Sequence, residues 1–303
     1  MIDILDDILG LSQPKNQPAA AATKPAPKAR SQKAPAPKPV YAPIKDILRI
    51  ATRAARHIGF ECLRVEAKDG TVTLWGADGI DKTVFCKMVA VPNDPVDCAF
   101  AIGDFDALAP LLDDDALPMA IDYELVSTFK HVDPDDDESE TIEVPESRPK
   151  FLRLAGYKHR LLNVAMAPKA ALKQEPVWNT SVAVNPSQDF ELFKKHAQRL
   201  RKTTEWVCIR IDSSLLSLVI GGKEDHSAEI AIATCEQCDG IPEHSWPIPV
   251  LLSVLRCAVA TGASQMWIGV ANSSWLMKMA FQSMSQFGEA MDFEFILPGK
   301  IVS

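Results

Sequence analysis

The chain has 303 residues, of which 47% are hydrophobic and 24% charged, with a formal net charge of -8. That length accommodates two ordinary globular domains and a flexible tail. It contains no apolar run of the roughly 18 residues a membrane helix needs, and its amino terminus, MIDILDDILGL, is acidic where a secretory signal begins basic. These features predict a cytoplasmic protein without membrane contact. Seven cysteines, mostly inside apolar strand-like runs (Cys62, Cys86, Cys98, Cys208), are expected to stay reduced and act as small hydrophobes. The negative balance excludes a protein coated uniformly with nucleic acid but permits a locally basic face.

Residues 2 to 11 place Ile2, Leu5, Ile8 and Leu9 at helical spacing, with Asp3, Asp6 and Asp7 on the other side. With Ile4 they form a candidate partner-docking peptide. Residues 13 to 40 hold seven prolines, eight alanines, six basic residues and no acid, and are expected to be a semi-extended linker. The first module then opens with a helix that Pro43 starts and Gly59 closes. At 100° per residue its Ile47, Leu48, Ala51, Ala54, Ala55 and Ile58 share one side, while Lys45, Arg49, Arg53 and Arg56 lie opposite. Strand-like runs follow at 60 to 66, at 71 to 75 after the turn Asp69-Gly70, at 83 to 91 and at 98 to 102. Next is a short helix, DFDALAPLL, with Asp104 expected as its cap and Pro110 expected to kink or end it. Two strands, PMAIDYE and VSTFKHV, lead into an acidic loop at 133 to 146, and FLRLAG restores strand character. The stretch from about 165 to 176 reads as a connector.

The second module begins with the strand VWNTSVAV. Asn185-Pro186 then reads as a helix cap followed by proline at the first helical position, with Gln188 placed to complete the cap. Phe190, Phe193, Ala197 and Leu200 form one face of this helix, and Lys195, Arg199 and Lys202 form the other. Strands at 206 to 211, 215 to 221 and 228 to 234, a helix PVLLSVLRCAVAT ending at Gly262, and three more strands complete the chain.

Sites for catalysis or metal are poorly supported. Cys235 and Cys238 form one CxxC with His244 six residues on, but no second pair stands at zinc-knuckle spacing, so the motif reads as a plain loop. The segment DPDDDESE lacks the glycine and glutamate of a calcium loop. Gly221-Gly222-Lys223 lacks the spacing of a phosphate-binding loop, and no nucleophile has a convincing histidine partner. The expectation is no enzyme, no catalytic residue, no metal and no cofactor. What remains is a duplicated order of helix, strands, helix and strands, with basic helices and acidic loops. Paired cationic stripes can hold a phosphate backbone without reading sequence.

This duplicated order resembles the sliding clamps of DNA replication, with the two-domain clamps of tailed phages nearest in likeness and proliferating cell nuclear antigen more distant. The segments that carry the resemblance are GTVTLWGADGIDKTVFCKMV, CAFAIGDFDALAPLLDDDALPMAIDYE and WNTSVAVNPSQDFELFKKHAQRLRKTTEWVCIRIDSSLLSLVIGG. It covers about residues 42 to 303. It implies an α+β fold of two repeated modules, helices on one face of antiparallel sheets, in domains at 42 to 170 and 171 to 303 behind an amino-terminal segment at 1 to 41. It further implies a homo-oligomeric ring of three subunits around double-stranded DNA, serving a DNA polymerase and a clamp loader in viral DNA replication. Lys45, Arg49, Arg53, Arg56, Lys195, Arg199 and Lys202 would then face the duplex. The alternatives are a monomeric or dimeric polymerase accessory protein, or an interaction protein working through its terminal peptide. The sequence departs from the family in its tail, its long acidic loop and the proline within its second helix.

Overall fold

The computed structural model describes residues 38–40, 42–77, 84–92, 97–131, 141–167, 169, 172, 174–200, 202, 204–212, 214–221, 227–235, 244–271, 274–284 and 290–300. The first module runs β1 (Lys38–Val40), α1 (Ala42–Ile58), β2 (Cys62–Lys68), β3 (Thr71–Ala77), β4 (Phe85–Ala90), β5 (Cys98–Gly103), α2 (Phe105–Asp113), β6 (Met119–His131), β7 (Thr141–Leu154) and β8 (Tyr157–Arg160). The second repeats the order with β9 (Thr180–Val184), α3 (Glu191–Leu200), β10 (Trp206–Asp212), β11 (Leu215–Ile220), β12 (Ala228–Thr234), β13 (Ser245–Pro247), α4 (Ile248–Ala260), β14 (Met266–Ala271), β15 (Leu276–Met284) and β16 (Ala290–Pro298). The duplication read from the sequence is therefore present, one strand longer at its start: β1 takes the last three residues of the stretch expected to be linker.

Three antiparallel sheets result. Two have four strands each, in the orders β1-β6-β7-β8 and β12-β11-β10-β13. The third has eight, in the order β5-β2-β3-β4-β16-β15-β14-β9, and joins the modules through six β4–β16 residue pairs from Ile296↔Phe85 to Met291↔Ala90. Alternation places Leu63, Val65, Val72, Leu74 and Met88 inward, with Phe293 and Phe295 of β16 continuing the buried layer. The rings of Phe281 and Phe293 stack at 4.8 Å between centroids.

Local sequence explains most boundaries. Gly59, at φ 90°, ends α1 in a conformation that glycine adopts without steric cost, and its N–H donates to the Ala55 carbonyl. Other expectations are corrected. Asp104 precedes α2 but sits in the left-handed region with no side-chain capping bond. Pro110 does not end α2, which continues to Asp113 with Leu108, Ala109 and Leu112 buried; tertiary packing outweighs the lost N–H. Asn185 does cap: its Oδ1 accepts from the N–H groups of Ser187 and Gln188, yet the reciprocal bond to its own N–H comes from Asp189 Oδ2 at 2.6 Å, and regular helix begins only at Glu191. The two strands expected at 118 to 132 are one strand, β6, and the second half of the expected acidic loop is the start of β7.

Candidate nucleic-acid interface

Helix α1 is buried almost all round because α2 packs on one side of it and α4 on the other. Its outward surface is consequently a narrow strip. Arg53, Arg56 and His57 are exposed and Arg49 is partly covered. Lys45, expected on this stripe, is only 8% exposed. Its Nζ donates to the carbonyl oxygens of Asp114 and of Leu117, the latter at 2.8 Å. Asp114 is the C-terminal cap residue of α2, where free carbonyls and the negative end of the helix dipole favour a cation. Lys45 thus holds α2 against α1 and offers no charge to the surface. Arg49 pairs with the buried Asp46 one turn earlier and with Asp115 at 2.9 Å.

The exposed cations of α1 are also paired. Arg53 meets Asp113 at 2.7 Å, and Arg56 meets Asp106 at 2.8 Å. The stripe of α1 is laced to the acids of α2, so this helix pair presents alternating signs. Half-exposed pairs of this kind contribute at most about 1 kcal/mol each to stability and can exchange partners with an approaching anion.

The second module differs. Phe193 and Ala197 bury one face of α3, and Phe190 just before it makes an edge contact with Phe193 at 6.2 Å. Lys195, Arg199 and Lys202 are exposed, with Glu191 the one acid of α3; it lies 3.7 Å from Lys195. Lys194 leans back to the Pro186 carbonyl at 3.3 Å. Helix α4 adds one cation that the sequence reading passed over: Arg256 is exposed on an otherwise apolar helix. Its signal was legible as the single charge in PVLLSVLRCAVAT. Module two thus presents Lys195, Arg199, Lys202 and Arg256 as exposed cations, of which Lys195 meets Glu191.

The connector is held at its far end. Trp178 Nε1 donates to Glu175 at 2.7 Å, Lys278 bridges Glu175 and Glu294 at 3.2 and 2.7 Å, and Trp178 sits edge-on to Trp267 at 6.3 Å. Gly269 makes room for this packing, since a Cβ there would lie 2.6 Å from the Trp267 ring. Burial pushes the Glu175 carboxyl up, but the Trp178 N–H and the Lys278 ammonium outweigh it and hold Glu175 below its ordinary value.

No group of three or more His, Cys, Asp or Glu side chains suited to a metal ion occurs among the described residues. Cys235 is buried and its Sγ reaches the Ser214 carbonyl, while His244 is buried beside Trp246 and Trp275. Cys238 lies outside the described residues. Burial pushes the Cys257 thiol up to about 12 and, with the Asp97 charge, does the same for Cys98, which leaves both unreactive. Among the described residues no helix is long and apolar enough to cross a membrane. The candidate docking peptide, with Ile2, Ile4, Leu5, Ile8 and Leu9, also lies outside the described residues.

This geometry has counterparts among solved structures. The chain superposes on proliferating cellular nuclear antigen (PCNA) from Entamoeba histolytica with a TM-score of 0.56 at 9% identity, over 85% of this chain and 96% of that one. PCNA of A. fulgidus, solved with the C-terminal region of FEN-1, matches with a TM-score of 0.56 at 14% identity over 86% and 97%. PCNA from Thermococcus kodakaraensis matches with a TM-score of 0.53 at 8% identity over 84% and 97%. No protein-family model and no curated protein matches the sequence. The chain has the PCNA fold over 84–86% of its length, as the α+β, two-module reading expected.

Proposed function

We propose that this protein is a DNA sliding clamp: a non-enzymatic processivity factor that encircles duplex DNA as a homotrimeric ring and tethers a replicative polymerase delivered with a clamp loader, in the cytoplasm of a bacterial host where a phage genome is copied. The observation that carries the reading is the match of fold over almost the full length of PCNA chains. Arg53, Arg56, Lys195, Arg199 and Lys202, joined by Arg256, face the duplex, and Arg49 contributes where Asp115 releases it. Weak, paired cations suit sliding because they attract phosphates without fixing a register. The edges of β8 and β12, each unpaired on one side among the described residues, join neighbouring subunits and cover backbone groups that would otherwise invite aggregation.

Solution mass together with retention on circular and linear DNA tests this. A closed ring has about 100 kDa, three times the 33.2 kDa chain, and stays on circular DNA but runs off linear ends. A 33 or 66 kDa species held equally by both DNA forms would instead identify a directly gripping accessory protein. The terminal peptide bearing Ile2, Ile4, Leu5, Ile8 and Leu9 docks into an apolar pocket on a clamp subunit or replication partner. Its intrinsic affinity is weak, and the linker raises its local concentration. A labelled peptide of residues 1 to 12 that binds neither clamp nor polymerase would remove that assignment.

A further inference from the structure

Strands β6 and β7 continue well past their sheet as a two-stranded ribbon. Beyond Ile121, β6 has no partner on its outer side among the described residues, because β1 pairs only with Met119, Ala120 and Ile121. An isolated ribbon of this length is marginal in water. Its side chains confirm that it is thinly covered: Leu125 is 39% exposed, Phe129 71% and Ile142 49%.

The two edges of the ribbon are treated differently. Pro145 and Pro149 of β7 stand opposite Ser127 and Tyr123. Proline has no N–H, so these pairs are the non-hydrogen-bonded ones, and the missing donors point out of the ribbon and blunt the β7 edge. The same parity turns the N–H and C=O groups of Tyr123, Ser127 and the residues in phase with them away from β7, toward the open β6 edge. That edge carries no proline between Asp122 and His131. It is a row of unpaired backbone groups on the side where β1 already lies.

Extending the β1 register along this edge brings the preceding residues of the same chain opposite it. Lys38↔Ile121 and Pro39↔Ala120 continue as Ala36 against Tyr123, Ala34 against Leu125, Gln32 against Ser127 and Arg30 against Phe129. Pro35, Pro37 and Pro39 alternate with period two. Since Pro39 lies in the ladder without a donor, a continuation in the same register would turn all three nitrogens to the outer side and leave the N–H groups of Ala34 and Ala36 facing β6. Charge fits the same register. Arg30 falls in one row with the exposed Phe129 ring and Glu143, and Lys33 in one row with Val126 and Glu146, which already pairs with Arg148.

We infer that residues 30 to 37 of this chain dock as a continuation of β1 along the free edge of β6, making the ribbon three-stranded. The alternating prolines then form the new outer edge and prevent a further strand from adding. The tail therefore leaves the molecule at the end of the ribbon, and the terminal peptide is carried there.

Residue-resolved amide exchange tests this, comparing the full chain with one lacking residues 1 to 34, which keeps β1. In the full chain the amides of Leu125, Ser127 and Phe129 exchange at least about tenfold more slowly than in the truncated chain, while Val126 and Thr128, bonded toward β7, are unchanged. Equal rates at the three odd positions in both chains overturn the inference. So does protection that disappears on dilution, which assigns the edge to a second copy. The register is tested separately: Ala34→Pro removes a donor facing β6 and abolishes protection at Leu125, whereas Lys33→Pro is in phase with the native prolines and leaves it intact. Identical behaviour of the two variants also overturns it.

Discussion

Lys45 and Arg199 show how differently two basic helix positions are used. Lys45→Met keeps the aliphatic stem but leaves the Asp114 and Leu117 carbonyls without their ammonium, so unfolding free energy falls by about 1–3 kcal/mol in denaturant titration while DNA retention per folded molecule is unchanged. Charge reversal of Lys195, Arg199 and Lys202 does the opposite. Stability is preserved, and the dependence of DNA affinity on salt flattens by about 0.9 in log–log slope for each cation that reaches a phosphate. An unchanged slope in an assembled triple variant would remove module two from the DNA-facing surface. The contrast explains what helical spacing can and cannot reveal. A 100° projection sorts Lys45 with Arg49, Arg53 and Arg56 because it knows one helix only. That α2 ends beside Lys45 is a tertiary fact, and so is the pairing of Arg53 with Asp113 and Arg56 with Asp106.

Between residues and the whole, the connector and the capped turns behave as units. Glu175 has a folded pKa below its unfolded value, so the stability it contributes is present above the ordinary glutamate range of about 4.3 and is lost as pH falls through the lower folded value. Acidification through the lowered folded value, below the ordinary glutamate range, should broaden or shift the Trp178 indole N–H resonance, and Glu175→Gln should remove that acid-dependent step. A titration identical in the two proteins would place the transition elsewhere. Strands and helices were legible here wherever a period ran uninterrupted: β2, β3, β5 and α4 fall within a few residues of expectation. Legibility failed where local chemistry competed with packing. Asp104 has the residue type of a cap and not its conformation, and Asp189 rather than Gln188 closes the turn at Asn185. Pro110 is a breaker overruled by the burial of Leu108 and Leu112. The three residues of β1 carry almost no strand signal, since Pro39 is one of them, Pro37 precedes them and their partner lies some 80 positions away in β6.

For the molecule as a whole, the prediction concerns where the assembly yields. Substituting proline at a β12 position whose N–H points outward should halve or abolish the species of about 100 kDa without lowering the melting temperature of the subunit, because an edge donor is lost and no ladder within the subunit is touched. Mass photometry and a thermal melt on the same sample check both parts. The β4–β16 seam stands in contrast to that edge. Six consecutive residue pairs join the two modules in one continuous sheet. In the proposed ring, DNA would enter where two subunits part, and the two halves of each subunit would move together on their common sheet.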